Sequence, residues 1–179
     1  MRSKSKEKGA ELGEEQAREK CLRLLSRRAH SSAELQEKLR AAGFTVKVTE
    51  RALAGLTESG LLDDEEFARS WVADRKLSGG SGRRKLAWEL RRKGIGRSLI
   101  AQVLSEDLEE ETELSQAMEL ARKKLREGAL GAAELARLRR FLLGRGYGFE
   151  VVDKVMQSLP LRPNAGETPY LTRGEGETS

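Results

Sequence analysis

One cysteine, Cys21, and one histidine, His30, stand in a chain of 179 residues. A lone cysteine excludes an internal disulfide and any multi-cysteine zinc site, and it fits a reducing compartment. No apolar run approaches the roughly 18 residues a membrane-spanning helix needs. Residues 1–19 are charged throughout and carry no signal-peptide apolar stretch. The expectation is a cytoplasmic protein without a membrane partner. The three prolines all fall within 160–179, a stretch read as a flexible tail. Residues 1–13 alternate charged and small residues without periodicity and read as a loose charged arm.

Aromatic residues are scarce, at 4%, whereas charged residues make up 35%. That balance suits solvated helices with thin apolar stripes, so the fold class expected is all-α. The net charge of +5 and a sequence pI near 9.5 say little about nucleic acid unless the cations cluster.

Three copies of one pattern organise the chain: Leu35-x-x-x-Leu39-x-x-x-Gly43-Phe44, Leu86-x-x-x-Leu90-x-x-x-Gly94-Ile95 and Leu138-x-x-x-Leu142-x-x-x-Gly146-Tyr147. Leucines at i and i+4 followed by a glycine one turn later mark a helix and its stop. Recurrence at this period indicates stacked helical modules, hence a binding protein. Ten residues after each glycine comes an apolar position, Leu53, Leu104 and Met156, so a further helix shares the repeat. Helical spacing gives three tandem three-helix repeats, at 14–62, 63–108 and 109–159. In the first, Ser31 and Glu34 form a capping box opening the second helix. In the second, Asp63 to Glu66 place acids at a helix start, where the dipole favours them. The glycine-rich stretch within Lys76 to Gly82 reads as the most mobile connection.

Catalytic chemistry is not in view. His30 has no nucleophile or orienting carboxylate in the sequence pattern and reads as a solvated turn residue. Cys21 shares an apolar stripe with Leu24 and Leu25 and reads as a small core residue. Consecutive acids at 63–66 point in different directions and cannot converge on a metal. Gly79-Gly80-Ser81-Gly82-Arg83 lacks the strand, spacing and Lys-Ser/Thr of a phosphate loop. No enzyme, cofactor or metal is expected.

The cations do cluster. Between Arg75 and Arg97 stand nine, Arg75, Lys76, Arg83, Arg84, Lys85, Arg91, Arg92, Lys93 and Arg97, against the single acid Glu89. With Leu86 and Leu90 inward, Trp88 faces outward between Arg84, Lys85, Arg91 and Arg92. Trp88 could pack on a neighbouring repeat while the charges merely solvate the helix. Binding of phosphates or acidic side chains is favoured, because Trp and Arg anchor interfaces. Arg137, Arg139, Arg140 and Arg145 form a second basic group in the third repeat. An acidic block at 106–113 separates the two and argues against simple coating by nucleic acid. Reading of duplex sequence by a helix-turn-helix is disfavoured, since the helix that would enter the groove is not the basic one.

Several segments resemble the bacterial RecX family: Ser31-x-x-Glu34-Leu35, Gly60-Leu61-Leu62-Asp63-Asp64-x-x-Phe67-Ala68, Gly82-x-Arg84-Lys85-Leu86-x-x-Glu89-Leu90-x-x-Lys93-Gly94-Ile95 and Arg140-Phe141-Leu142-x-x-Arg145-Gly146-Tyr147. The resemblance spans about 15–159 and departs at Arg83, where the family often has proline. It implies an elongated, curved array of three-helix repeats that binds in the groove of the RecA–DNA filament. There it would restrain RecA's ATPase, coprotease and strand-exchange activities in DNA repair and the SOS response. On that reading the partner-binding residues are Arg75, Arg83, Arg84, Lys85, Trp88, Arg91, Arg92 and Lys93, with Arg137, Arg140 and Arg145 adding a second contact. A monomer is expected. The alternative is a sequence-tolerant module that binds free single-stranded DNA without touching RecA.

Overall fold

The structure is a computed structural model that describes residues 13–78, 80–108, 110–125 and 131–159. Among the described residues there are nine α-helices and no strand. They run as three triplets: α1 (Glu14–Leu25), α2 (Ser32–Ala41) and α3 (Val46–Glu58); α4 (Asp64–Leu77), α5 (Arg83–Arg92) and α6 (Arg97–Asp107); α7 (Glu110–Lys124), α8 (Ala132–Gly144) and α9 (Phe149–Gln157). Every extensive helix pairing lies inside one triplet. Each triplet accordingly has its own core, built on Leu35, Leu39 and Leu56, on Leu86, Leu90 and Val103, and on Leu138, Leu142 and Val152. The arm expected at 1–13 and the tail expected at 160–179 lie outside the described residues, Gly13 excepted.

The threefold pattern has a local cause. Gly43, Gly94 and Gly146 adopt φ of +90°, +80° and +86°, a left-handed conformation that costs glycine nothing. In each turn the residue after the glycine donates its N–H to the second leucine: Phe44 to Leu39 O at 3.2 Å, Ile95 to Leu90 O at 3.1 Å and Tyr147 to Leu142 O at 3.2 Å. The glycine N–H bonds to the carbonyl three residues back, closing a Schellman motif. The paired apolar residues, such as Leu39 and Phe44, are both buried. The Leu-x-x-x-Gly-apolar sequence is therefore a helix stop with its hydrophobic contact, written three times.

The same glycine turns join the triplets. The N-terminus of α2 rests on the turn after α5, where the Ser31 hydroxyl donates to Lys93 O at 2.5 Å and Glu34 meets Lys93 Nζ at 2.6 Å. Asp64 accepts the Ser32 N–H at 2.8 Å across the same boundary. In the next joint the N-terminus of α5 rests on the turn after α8. Gly82 N–H donates to Arg145 O at 2.9 Å and Arg84 N–H to Gly146 O at 3.1 Å.

Three expectations are corrected. His30 is not a solvated turn residue: it is 5% exposed, and its Nδ1 lies 3.2 Å from Glu34 Oε2. Burial, and then the nearby Arg28 charge, lower its pKa against the pull of Glu34. The glycine-rich connection is not loose from Gly80 to Gly82, which are buried against the third triplet. Missing side chains make that approach feasible, since a Cβ on Gly82 would lie 2.3 Å from the Tyr147 backbone nitrogen. The capping box is half formed. Ser31 Oγ accepts the Glu34 N–H at 3.2 Å, but the Glu34 carboxylate turns to Arg28, His30 and Lys93 instead. Cys21 is fully buried as expected, and burial pushes its thiol pKa up.

Candidate functional site

Helix α5 opens with Arg83, Arg84 and Lys85, an unfavourable choice for a helix N-terminus, whose dipole prefers anions. Glu113 of α7 offsets this. It is buried, accepts the Arg83 N–H at 2.8 Å and faces Arg83 Nε at 3.8 Å. The Arg83 guanidinium also donates to the Leu108 carbonyl. Leu86 and Leu90 are fully buried and fix which face of α5 turns outward.

On that outward face Trp88 is 51% exposed. Arg92, one turn later, places its guanidinium 4.8 Å from the indole centroid. One turn earlier, Arg84 lies 5.6 Å from the ring of Phe149, which opens α9 and is 58% exposed. Phe149, Arg84, Trp88 and Arg92 thus alternate aromatic and cation along α5, from the third triplet towards the first. Stacking on the ring leaves a guanidinium's edge donors free for carboxylate or phosphate. Arg91 is also exposed.

Beneath this ridge Arg75, Lys85 and Lys93 are engaged. Glu89 accepts from Trp71 Nε1 at 2.9 Å and from Arg75 Nε at 2.8 Å, with Lys85 Nζ at 4.0 Å. Burial alone would raise the Glu89 pKa, but the bonds from Arg75 and Trp71 outweigh it and hold the pKa below its ordinary value. Arg75 and Lys93 lie 4.4 Å and 4.8 Å from the Trp71 centroid. Lys93 then crosses to Glu34 of the first triplet. A cavity of about 370 Å³ spans this boundary, lined by residues that include Glu34, Trp71, Trp88, Arg92 and Lys93.

The sequence-derived candidates therefore sort by environment. Arg84, Trp88, Arg91 and Arg92 face outward, Lys85 is partly exposed, and Arg75, Arg83 and Lys93 bond within the fold. In the third triplet Arg137 and Arg140 are exposed, while Arg145 donates to Gly80 O at 3.3 Å and lies 5.1 Å from the Phe141 ring. The acidic block is partly consumed as well. Arg69 bonds Glu65 and Asp107, each at 2.8 Å, and Glu106. Sequence reasoning missed Phe149 as part of the ridge, and it missed Glu34 and Glu113 as tertiary partners. For Phe149 a signal existed, a large aromatic at a first helical position with nothing local to bury it. For the two glutamates there was none. Among the described residues no group of three His, Cys, Asp or Glu could hold a metal, and no helix is long and apolar enough to cross a membrane.

Comparison with known proteins gives this surface a context. The chain is 40% identical over 146 residues to the regulatory protein RecX of Mycobacterium ulcerans, covering 80% of this chain and 84% of that one. The chain belongs to the RecX family. Residues 17–56, 63–104 and 111–156 match the first, second and third three-helix domains of RecX respectively. It is also 48% identical to RecX of Mycolicibacterium smegmatis over 113 residues, 63% of this chain and 60% of that relative's length. Among solved structures, RecX of Lactobacillus salivarius superposes with a TM-score of 0.73 at 18% identity, over 80% of this chain and 94% of the other. A second RecX structure gives 0.69 at 23% identity, over 80% and 71%. Both show the tandem three-helix fold shared by this RecX-family chain.

Proposed function

We propose that this protein binds the RecA–DNA filament and restrains RecA's recombinase, ATPase and coprotease activities in DNA repair and the SOS response. Membership in a family of regulatory proteins supports a regulator rather than a catalyst. The observation that carries the reading is Trp88, half exposed on the middle repeat, with Arg92 on its ring and Arg84 and Arg91 beside it. Exposed Trp and Arg in one cluster are the residues that dominate interface energies. Phe149 extends the contact, and Arg137 and Arg140 add a second one. Arg75, Arg83, Lys85 and Lys93 support the ridge from below or beside it.

The test is titration of the protein onto preformed RecA filaments at fixed DNA, following ATPase rate and filament length. Inhibition well below amounts that saturate the DNA supports direct filament binding. Inhibition appearing only as DNA is saturated, with steep salt dependence, would replace this reading by competition for single-stranded DNA.

A further inference from the structure

Glu34 sits at the boundary between the first two repeats, and its carboxylate leaves the capping role that its place in the first turn of α2 would give it. Its carboxylate receives Lys93 Nζ at 2.6 Å on one oxygen, and Arg28 Nη1 at 3.1 Å and His30 Nδ1 at 3.2 Å on the other. A carboxylate only accepts, so the neutral His30 ring carries its hydrogen on Nδ1. Lys93 is held from both ends, its ammonium between Glu34 and the Trp71 ring and its carbonyl by the Ser31 hydroxyl. Trp88 and Arg92 share a cavity with this cluster. Because each triplet has its own core and no extensive helix pairing crosses the boundary, the angle between repeats rests on this polar clamp, the Ser32–Asp64 bond and the close approach of Gly94 to Ala33 rather than on a shared apolar core.

We infer that Glu34, through Lys93, is a positioning residue that fixes the angle between the first and second repeats, and so the pose in which the Trp88 surface meets its partner. The inference rests on the filament-binding reading for its functional half only. A rigid array that matches a helical partner binds without the entropy cost of stiffening a loose joint.

The sign of the effect makes the inference testable. Removing a negative charge beside a basic surface strengthens binding to an acidic partner if Glu34 acts only through its field. If it acts through the joint, binding weakens. Glu34→Gln is compared with Glu37→Gln, one turn along α2, exposed and lining the same cavity. Spin labels at cysteines introduced for Arg51 and Ser105, both exposed, read the distance between repeats, and buried Cys21 stays unlabelled.

The expected result is a broadened distance distribution and about threefold to tenfold weaker filament binding for Glu34→Gln, with helicity retained and Glu37→Gln like wild type or tighter. An unchanged distribution, or binding by Glu34→Gln equal to or tighter than wild type, overturns the inference. Should Glu34→Gln lose helicity, Lys93→Met cuts the clamp from the other side, keeps an aliphatic stem on Trp71, and must broaden the same distances. If wild type itself fails to bind filaments, the proposed function falls, while the label distances still decide whether Glu34 fixes the joint.

Discussion

Gly94 faces Ala33 across the boundary of the first two repeats with no room for another carbon, since a Cβ on Gly94 would lie 2.1 Å from that of Ala33. The next joint repeats the relationship, with Gly146 against Lys85, where the added Cβ would approach the lysine Cβ to 2.4 Å. Gly60 shares the left-handed backbone, at φ +70°, but a Cβ there meets nothing within 4 Å among the described residues. Alanine at Gly60 should cost only the backbone strain, about 1 kcal/mol. At Gly94 or Gly146 the clash adds to it, for a total of about 3 kcal/mol or more. Thermal melts of the three variants give the ranking. Ala33→Gly combined with Gly94→Ala should be less destabilised than the sum of the single changes, a coupling that strain at Gly94 alone cannot produce.

The two tryptophans should separate binding from stability. Trp88→Ala removes a half-exposed ring that touches Arg92. It should leave stability within about 0.5 kcal/mol while weakening filament inhibition by about 2 kcal/mol, some thirtyfold. Trp71 is partly buried and bonds Glu89 beneath Arg75 and Lys93, so Trp71→Ala should lower the melting temperature first. Equal effects on melting from both changes would show that Trp88 is a packing residue after all.

The difference between these tryptophans marks how far the sequence could be read. Helical spacing put Leu86 and Leu90 inward and Trp88 outward, and the Leu-Leu-Gly pattern located helix stops to within a residue or two. Those features are local, set by period and by what glycine alone tolerates. What stayed hidden was long-range pairing. Glu34 reads as half of a capping box until Lys93, 59 residues away, is folded against it. Glu113 belongs to an acidic block until α5's uncapped N-terminus claims it. His30 looks solvated because residues that line a cavity with it, Leu62, Asp63 and Phe67 among them, lie far along the chain. The buried glycines at 80 and 82 look mobile for the same reason that they are useful, their lack of side chains.

Acid should open the first joint. Burial alone would raise the Glu34 pKa, but hydrogen bonds from Arg28 and Lys93, with their charges, hold it at about 2. An unfolded glutamate titrates near ~4.3. A depressed folded pKa means the stabilisation is fully present above the unfolded value and is lost as pH falls from about 4.3 towards 2. After solvent screening it amounts to about 1–2 kcal/mol. Chemical denaturation from pH 7 to 3 should therefore show a steeper acid loss in wild type than in Glu34→Gln, whose curve lacks this contribution. Parallel curves would mean that Arg28 and Lys93 do not hold the carboxylate in solution.

Tyr147 offers the opposite case, a polar atom whose removal should help. Its side chain is fully buried, and its hydroxyl has no hydrogen-bond partner among the described residues. The Gly80 backbone lies so close that a Cβ there would sit 2.8 Å from that oxygen. Burial, reinforced by the Glu113 charge, pushes the phenol up to about 12. The neutral form is thus favoured by folding, and the corresponding stability, present below pH ~10, is lost as pH rises through the folded value. Tyr147→Phe deletes a desolvated hydroxyl while keeping the ring that fills the third core. It should be neutral or stabilising by about 1 kcal/mol at pH 7, whereas Tyr147→Ala should cost about 3–5 kcal/mol through the cavity it leaves. Melts of both variants at pH 7 and pH 10.5 decide the matter. The phenylalanine variant should lose less stability on going to the higher pH, because it has no phenol to ionise. A loss of about 1 kcal/mol or more for Tyr147→Phe at pH 7 would instead mean that the hydroxyl is satisfied in solution, by a water held between the second and third repeats.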